Sequence, residues 1–85
     1  MVKFCFRNMK KPRNIVGPVV RQLRESQGLT QQMLVVRLNL KGWDISRETL
    51  AKIESQFRWV ADTELVRLAD ALKVDAGAIL KKARK

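Results

Sequence analysis

The chain has no histidine, no tyrosine and one cysteine in 85 residues. Without imidazole there is no histidine general base and no His-dependent catalytic triad. Cys5 cannot close an internal disulfide, and a single thiol builds no zinc site. Proline and glycine are sparse, at two and four residues, and strand-like alternation is missing. No apolar run approaches the ~20 residues that span a bilayer. The N-terminus shows no apolar core of a secretory signal. A cytoplasmic protein in reducing surroundings is therefore expected. Ser, Cys, Asp and Glu are present, but no base, metal cluster or phosphate-cradling Gly loop accompanies them, so an enzyme is not expected. Neither a cofactor nor a metal nor a small-molecule substrate is implied.

Acidic residues are also scarce. Eight stand against 18 basic ones, for a formal charge of +10. The excess lies at the ends. Residues 1–14 hold Lys3, Arg7, Lys10, Lys11 and Arg13 and no acid, and residues 81–85 hold Lys81, Lys82, Arg84 and Lys85. The stretch between carries nine basic and eight acidic side chains. A polyanion suits such ends, because each neutralised phosphate releases a counterion. The plainer alternative is that basic ends keep a small protein soluble. The division read from this is a basic N-terminal arm at 1–14, one domain at 15–80 and a basic C-terminal tail at 81–85. Phe4 and Phe6 follow no period in the arm, and Cys5 reads as an incidental residue there.

What is abundant is helical pattern, and the expected fold class is all-α with five helices. Gly17-Pro18 opens the first helix, since proline suits the first helical position. Val19, Val20 and Leu23 face inward, with Arg21, Arg24 and Glu25 outside, and Gly28 ends it. Thr30 and Ser46 stand where a hydroxyl caps a helix start. Leu34 and Leu38 share one face of the second helix, and Leu50 and Ile53 share one face of the third. The connection between them is read as Asn39 to Ile45. Ser46-Arg47-Glu48-Thr49 puts four polar residues at the front of the third helix while Leu50 and Ile53 dock its back. Gln56-Phe57-Arg58-Trp59 forms a loop. Asp62 or its neighbour caps a fourth helix, Thr63 to Lys73, with a stripe of Leu65, Leu68, Ala69 and Leu72. Asp75 caps a last short helix through Ile79 and Leu80.

The ordered set Leu29-Thr30-Gln31, Leu34, Leu38, Ser46-Arg47, Thr49-Leu50 and Ile53-Glu54 resembles the helix-turn-helix of lambda-repressor/Cro-type (xenobiotic-response-element) DNA-binding domains. The likeness runs from about Asn14 to Leu80. It departs at Val35, where the family usually has alanine, at Ala61, where threonine is usual, and in a longer connection between the second and third helices. The resemblance implies a DNA-binding domain whose third helix enters the major groove. Carried over by position, Arg47, Glu48, Thr49 and Lys52 are the base-contacting candidates. Arg47 can pair with guanine O6/N7, Glu48 can accept from cytosine N4, and Thr49 offers a hydroxyl or a methyl. The plain alternative is a solvated face with a Glu48–Lys52 ion pair. Gln31, Lys41, Ser46 and Arg58 are the phosphate-contacting candidates, with Ser46 also the cap of its helix. Glu54 reads as structural, pairing with Arg37.

Trp43 and Trp59 flank the third helix, and the reading preferred for both is that they cover the core. The alternative is an interface with a second copy or with nucleic acid. The function expected is a small bacterial or phage-type repressor, binding double-stranded DNA as a homodimer, with Ile79 and Leu80 of the last helix as the interface. Two other readings stay open. One is an antitoxin-like protein-interaction module on the same fold. The other is sequence-tolerant nucleic-acid binding driven by the basic ends.

Overall fold

Five helices form along residues 12–84, the part described by the computed structural model: α1 (Gly17–Ser26), α2 (Gln31–Leu40), α3 (Arg47–Glu54), α4 (Asp62–Leu72) and α5 (Ala76–Arg84). No strand forms among the described residues, and the fold is all-α as the pattern predicts. The readings of Cys5, Phe4, Phe6, Lys3, Arg7, Lys10, Lys11 and Lys85 lie outside the described residues.

Local chemistry sets each helix start. The Thr30 hydroxyl accepts from the Met33 N–H at 3.1 Å, and the Ser46 hydroxyl accepts from the Thr49 N–H at 3.1 Å. Both satisfy one of the free amides at a helix start. At α1 the role falls to Asn14, whose Oδ1 accepts from Gly17 N–H at 2.7 Å. At α4 the flanking residue is Ala61, which has no side-chain acceptor. Glu64 keeps the other half of the cap by accepting from Ala61 N–H at 3.1 Å. Asp62 is the first residue inside the helix, and its carboxylate takes the Thr63 N–H at 2.7 Å.

The first four helices stop in the same way. The N–H groups of Leu29, Trp43, Phe57 and Val74 each reach back to a carbonyl five residues earlier, on Arg24, Leu38, Lys52 and Ala69, at 2.8–3.0 Å. That bond needs a left-handed residue just before the donor. Gly28 and Gly42 supply it twice, and Gln56 (φ 69°) and Lys73 (φ 60°) supply it against their own Cβ. Because Gly42 is the reversing residue, α2 continues to Leu40, past the Asn39 where the connection was read to begin.

The helices close on a core whose fully buried large side chains are Val20, Leu34, Leu38, Leu50, Ile53, Leu68, Leu72 and Ile79. α1 packs on α3, α4 and α5, while α2 packs on α3 and α4. Gly17 lies so close to the end of α3 that an added Cβ would collide with the carbonyl oxygen of Ile53 and sit 2.9 Å from that of Glu54. The chain before it is bound to the same place. Asn14 donates to the Ile53 and Arg58 carbonyls at 3.0 and 2.8 Å. Gln56 Nε2 donates to the Asn14 carbonyl, and Arg13 N–H donates to the Gln56 carbonyl. Arg13 and Asn14 are thus joined to the domain, although the sequence places them in the arm.

Three expectations need correcting. The last helix does not stop at Leu80 but runs to Arg84, so Lys81, Lys82 and Arg84 are helical. Lysine, alanine and arginine are strong helix formers, Ala83 packs on the core four residues after Ile79, and cations suit a helix C-terminus. Ile79 is fully buried in its own chain, so it is not an interface residue. Arg24, expected outside, is buried at 8% exposure.

Two substitutions test this frame. Gly17→Ala forces α1 and α3 apart and should cost ~1–3 kcal/mol, as overpacking does. Lys73→Gly relieves the left-handed backbone and should raise stability by ~0.5–1 kcal/mol, seen as a higher thermal midpoint.

Candidate nucleic-acid interface

α3 is docked by Leu50 and Ile53, both fully buried, and by Glu54, which is 7% exposed. Burying two such apolar side chains is worth ~1.5–3 kcal/mol each, which fixes the helix by its back. What remains outward is its front. Arg47, Glu48 and Lys52 are exposed, and Thr49 is half-buried. The Thr49 hydroxyl is hydrogen-bonded to the Ser46 hydroxyl at 3.0 Å. Glu48 and Lys52 lie one turn apart, and no ion pair within 4 Å joins them. The four base-contacting candidates therefore form the exposed N-terminal turn and a half of one short, capped helix.

The end of α3 is fixed by a charged network that no local pattern announced. Arg24 Nε donates to Glu54 Oε2 at 2.8 Å and its Nη2 donates to Oε1 at 3.1 Å. Arg24 Nη1 donates to the Leu29 carbonyl at 2.7 Å. Gln31 Nε2 donates to Glu54 Oε1 at 3.1 Å. The partner of Glu54 is thus Arg24 and not Arg37. The reason lies in the packing: the buried face of α1 meets α3, while Arg37 points along α2 to the end of α4, where Nη1 donates to the Ala71 carbonyl at 3.0 Å. The forked guanidinium matches the carboxylate bidentately, so both buried charges are satisfied.

The phosphate-contacting candidates sit around this frame. Gln31 is held at the first turn of α2 by Glu54, with its remaining amide hydrogen and its oxygen uncommitted to that bond. Lys41 is exposed on the turn after α2. Ser46 is engaged as the cap of α3. Arg58, on the loop after α3, is half-buried and donates to both carboxylate oxygens of Glu64 at 3.0 and 3.2 Å. The connection between α2 and α3 is braced by Asn39, whose Nδ2 donates to the Trp43 carbonyl at 2.9 Å and the Ile45 carbonyl at 3.3 Å. Trp43 packs on the core as expected. Trp59 does not, being 70% exposed, because the loop after α3 turns it out beside Ile15 and Leu80. Asn14, Arg24 and Asn39 were not singled out as supports of this surface by sequence reasoning. Asn14 had a signal, since asparagine is a preferred cap ahead of a Gly-Pro helix start.

Removing one member of the buried pair leaves an uncompensated charge. Glu54→Ala should lower unfolding free energy by ~3–5 kcal/mol in a urea titration, far more than truncating exposed Glu48. The second pair titrates. The hydrogen bonds from Arg58, and a lesser one from Ala61 N–H, hold the Glu64 carboxyl below its ordinary value of 4.5 against the opposing effect of burial. A lowered folded-state value stabilises fully above the unfolded value, and that stabilisation disappears as pH falls through the folded one. The urea midpoint should therefore fall below about pH 4.5, and Glu64→Gln should flatten that part of the profile.

The helix-turn-helix family model matches residues 20–79, most of the chain, with α2, α3 and α4 whole and parts of α1 and α5. No curated protein and no solved structure matches the chain. With the capped pair α2 and α3 in place and the family match spanning the core from Val20 to Ile79, the chain belongs to the helix-turn-helix family of lambda-repressor/Cro type, a family of DNA-binding transcriptional regulators.

Proposed function

We propose that the chain is a sequence-specific transcriptional repressor that reads the major groove of double-stranded DNA with the N-terminal part of α3. The observation that supports this most is the exposed, capped front of α3 set on a rigid, buried back. In this reading Arg47 takes a guanine edge and Glu48 a cytosine amine. Thr49 turns its methyl to a thymine, and Lys52 reaches a base or the adjoining phosphate. Gln31, Lys41, Ser46 and Arg58 set the register on the backbone. Arg58 does so with the guanidinium hydrogens that Glu64 leaves over. The protein acts in a bacterial cytoplasm, and no helix among the described residues is long and apolar enough to cross a membrane.

One helix reads only a few base pairs, so the repressor binds as a homodimer on two half-sites about one helical turn apart. The apolar patch of Ile15 (52% exposed), Trp59 (70%) and Leu80 (38%), around a groove of about 480 Å³, is the surface for the second copy. It is larger than the pair of last-helix residues read from sequence, and it excludes Ile79.

Selection from a random double-stranded DNA pool at moderate salt tests the proposal. The expected product is a palindrome whose half-site spacing reports the dimer. Arg47→Ala should cost ~1–3 kcal/mol and relax one position of it, while Lys41→Ala should weaken all sequences alike and lower the salt slope by about one. An unenriched pool, with binding that vanishes as salt rises, would move the activity to the basic ends.

A further inference from the structure

α2 is apolar on both sides. Leu34, Val35 and Leu38 are buried. At roughly 100° per residue, Met33, Val36 and Leu40 form a second stripe directly opposite the core. They are 48%, 48% and 83% exposed. A helix apolar all round is ordinarily covered all round. The described residues do not cover this stripe, and the two edges of the helix show where it faces. On one edge Asn39 reaches toward α3, bonding to Trp43 and Ile45. On the other Arg37 reaches α4, bonding to Ala71. The stripe lies between them, away from the exposed front of α3.

At its C-terminal end the stripe runs into a groove of about 320 Å³ between α2 and the end of α4, lined by Arg37, Leu40, Lys41, Asp70, Ala71 and Lys73. Its lining is apolar at Leu40 and Ala71. Its rim carries three cations against the one carboxylate of Asp70. Arg37 keeps its bond to the Ala71 carbonyl, and Lys41 and Lys73 stand exposed.

We propose that this stripe and groove are a docking surface for an acidic amphipathic helix of a partner protein. Apolar side chains of such a helix, spaced at i, i+3 and i+7, would lie along Met33, Val36 and Leu40 and set one knob in the groove. Its carboxylates would face Lys73, and Lys41 whenever that side chain is not on a DNA phosphate. The charge argues against a second copy, because this face offers only the one carboxylate of Asp70 to meet the cations of another. The groove at the end of the stripe argues against a lipid surface, since the cleft between two helices is concave where an inserting face is convex.

The probe is a fluorescent helical peptide with leucines at i, i+3, i+4 and i+7 and glutamates elsewhere, titrated into the full chain at moderate salt. A second peptide has lysine in place of glutamate. The glutamate peptide should bind and the lysine peptide should not. Val36→Ser with Leu40→Ser should weaken binding about tenfold or more, and Lys73→Glu should shift preference toward the lysine peptide. Since Val36 and Leu40 are exposed, the double variant should keep its helical signal, thermal midpoint and DNA selection, which separates this proposal from the DNA-binding one. Equal affinity for both peptides, or binding indifferent to these variants, overturns the proposal. So does stripe-dependent self-association of the chain in sedimentation, and so does stripe-dependent binding to vesicles of phosphatidylserine and phosphatidylcholine without binding to the peptide.

Discussion

The paired charges of Arg24 and Glu54 hold α3 in place. They tie α1 to the end of α3, and through Leu29 and Gln31 they tie both to the start of α2. The pair is bidentate and buried, and each further donor in it has an acceptor. A buried ion pair adds little net stability over an apolar pair of the same shape. Its value here is directional. Leucine contacts tolerate rotation of one helix on another, whereas a forked guanidinium accepts its carboxylate in one plane. The orientation of Arg47, Glu48 and Lys52 relative to the first turn of α2 is therefore set by a polar contact behind them.

Two further constraints act on the same spot. Gly17 lets α1 touch the last carbonyls of α3, and Asn14 accepts and donates there at once. The end of α3 is thus bonded on three sides, while its start is left to the Ser46 cap and to solvent. Rigidity at one end and exposure at the other is the arrangement that the proposed readout by α3 requires, because a binding site works only when held within a fraction of an ångström.

Much of the fold was legible because its determinants are local. Thr30 and Ser46 announced two helix starts, and leucine spacing announced the inward faces. The exposed candidates on α3 follow from the same periodicity. What was not legible depended on distance or on competing readings. Arg24 and Glu54 are 30 residues apart, and nothing near either selects the other from the remaining charges. Arg37 was an equal choice until packing directed it to Ala71. The end of α5 was hidden by its charge: Lys81 and Lys82 read as part of a basic tail, and Ala83, one turn beyond Ile79, extends the buried face. Trp59 was unreadable because no period governs a loop.

Asn14 also makes the first turn of α1 and the last turn of α3 one unit. Its Oδ1 accepts from Gly17 N–H while its Nδ2 donates to the Ile53 and Arg58 carbonyls. A side chain that is clasp and cap at once couples two local equilibria. Fraying at the start of α1 releases the carbonyls at the end of α3, so the two helix ends open as one cooperative unit.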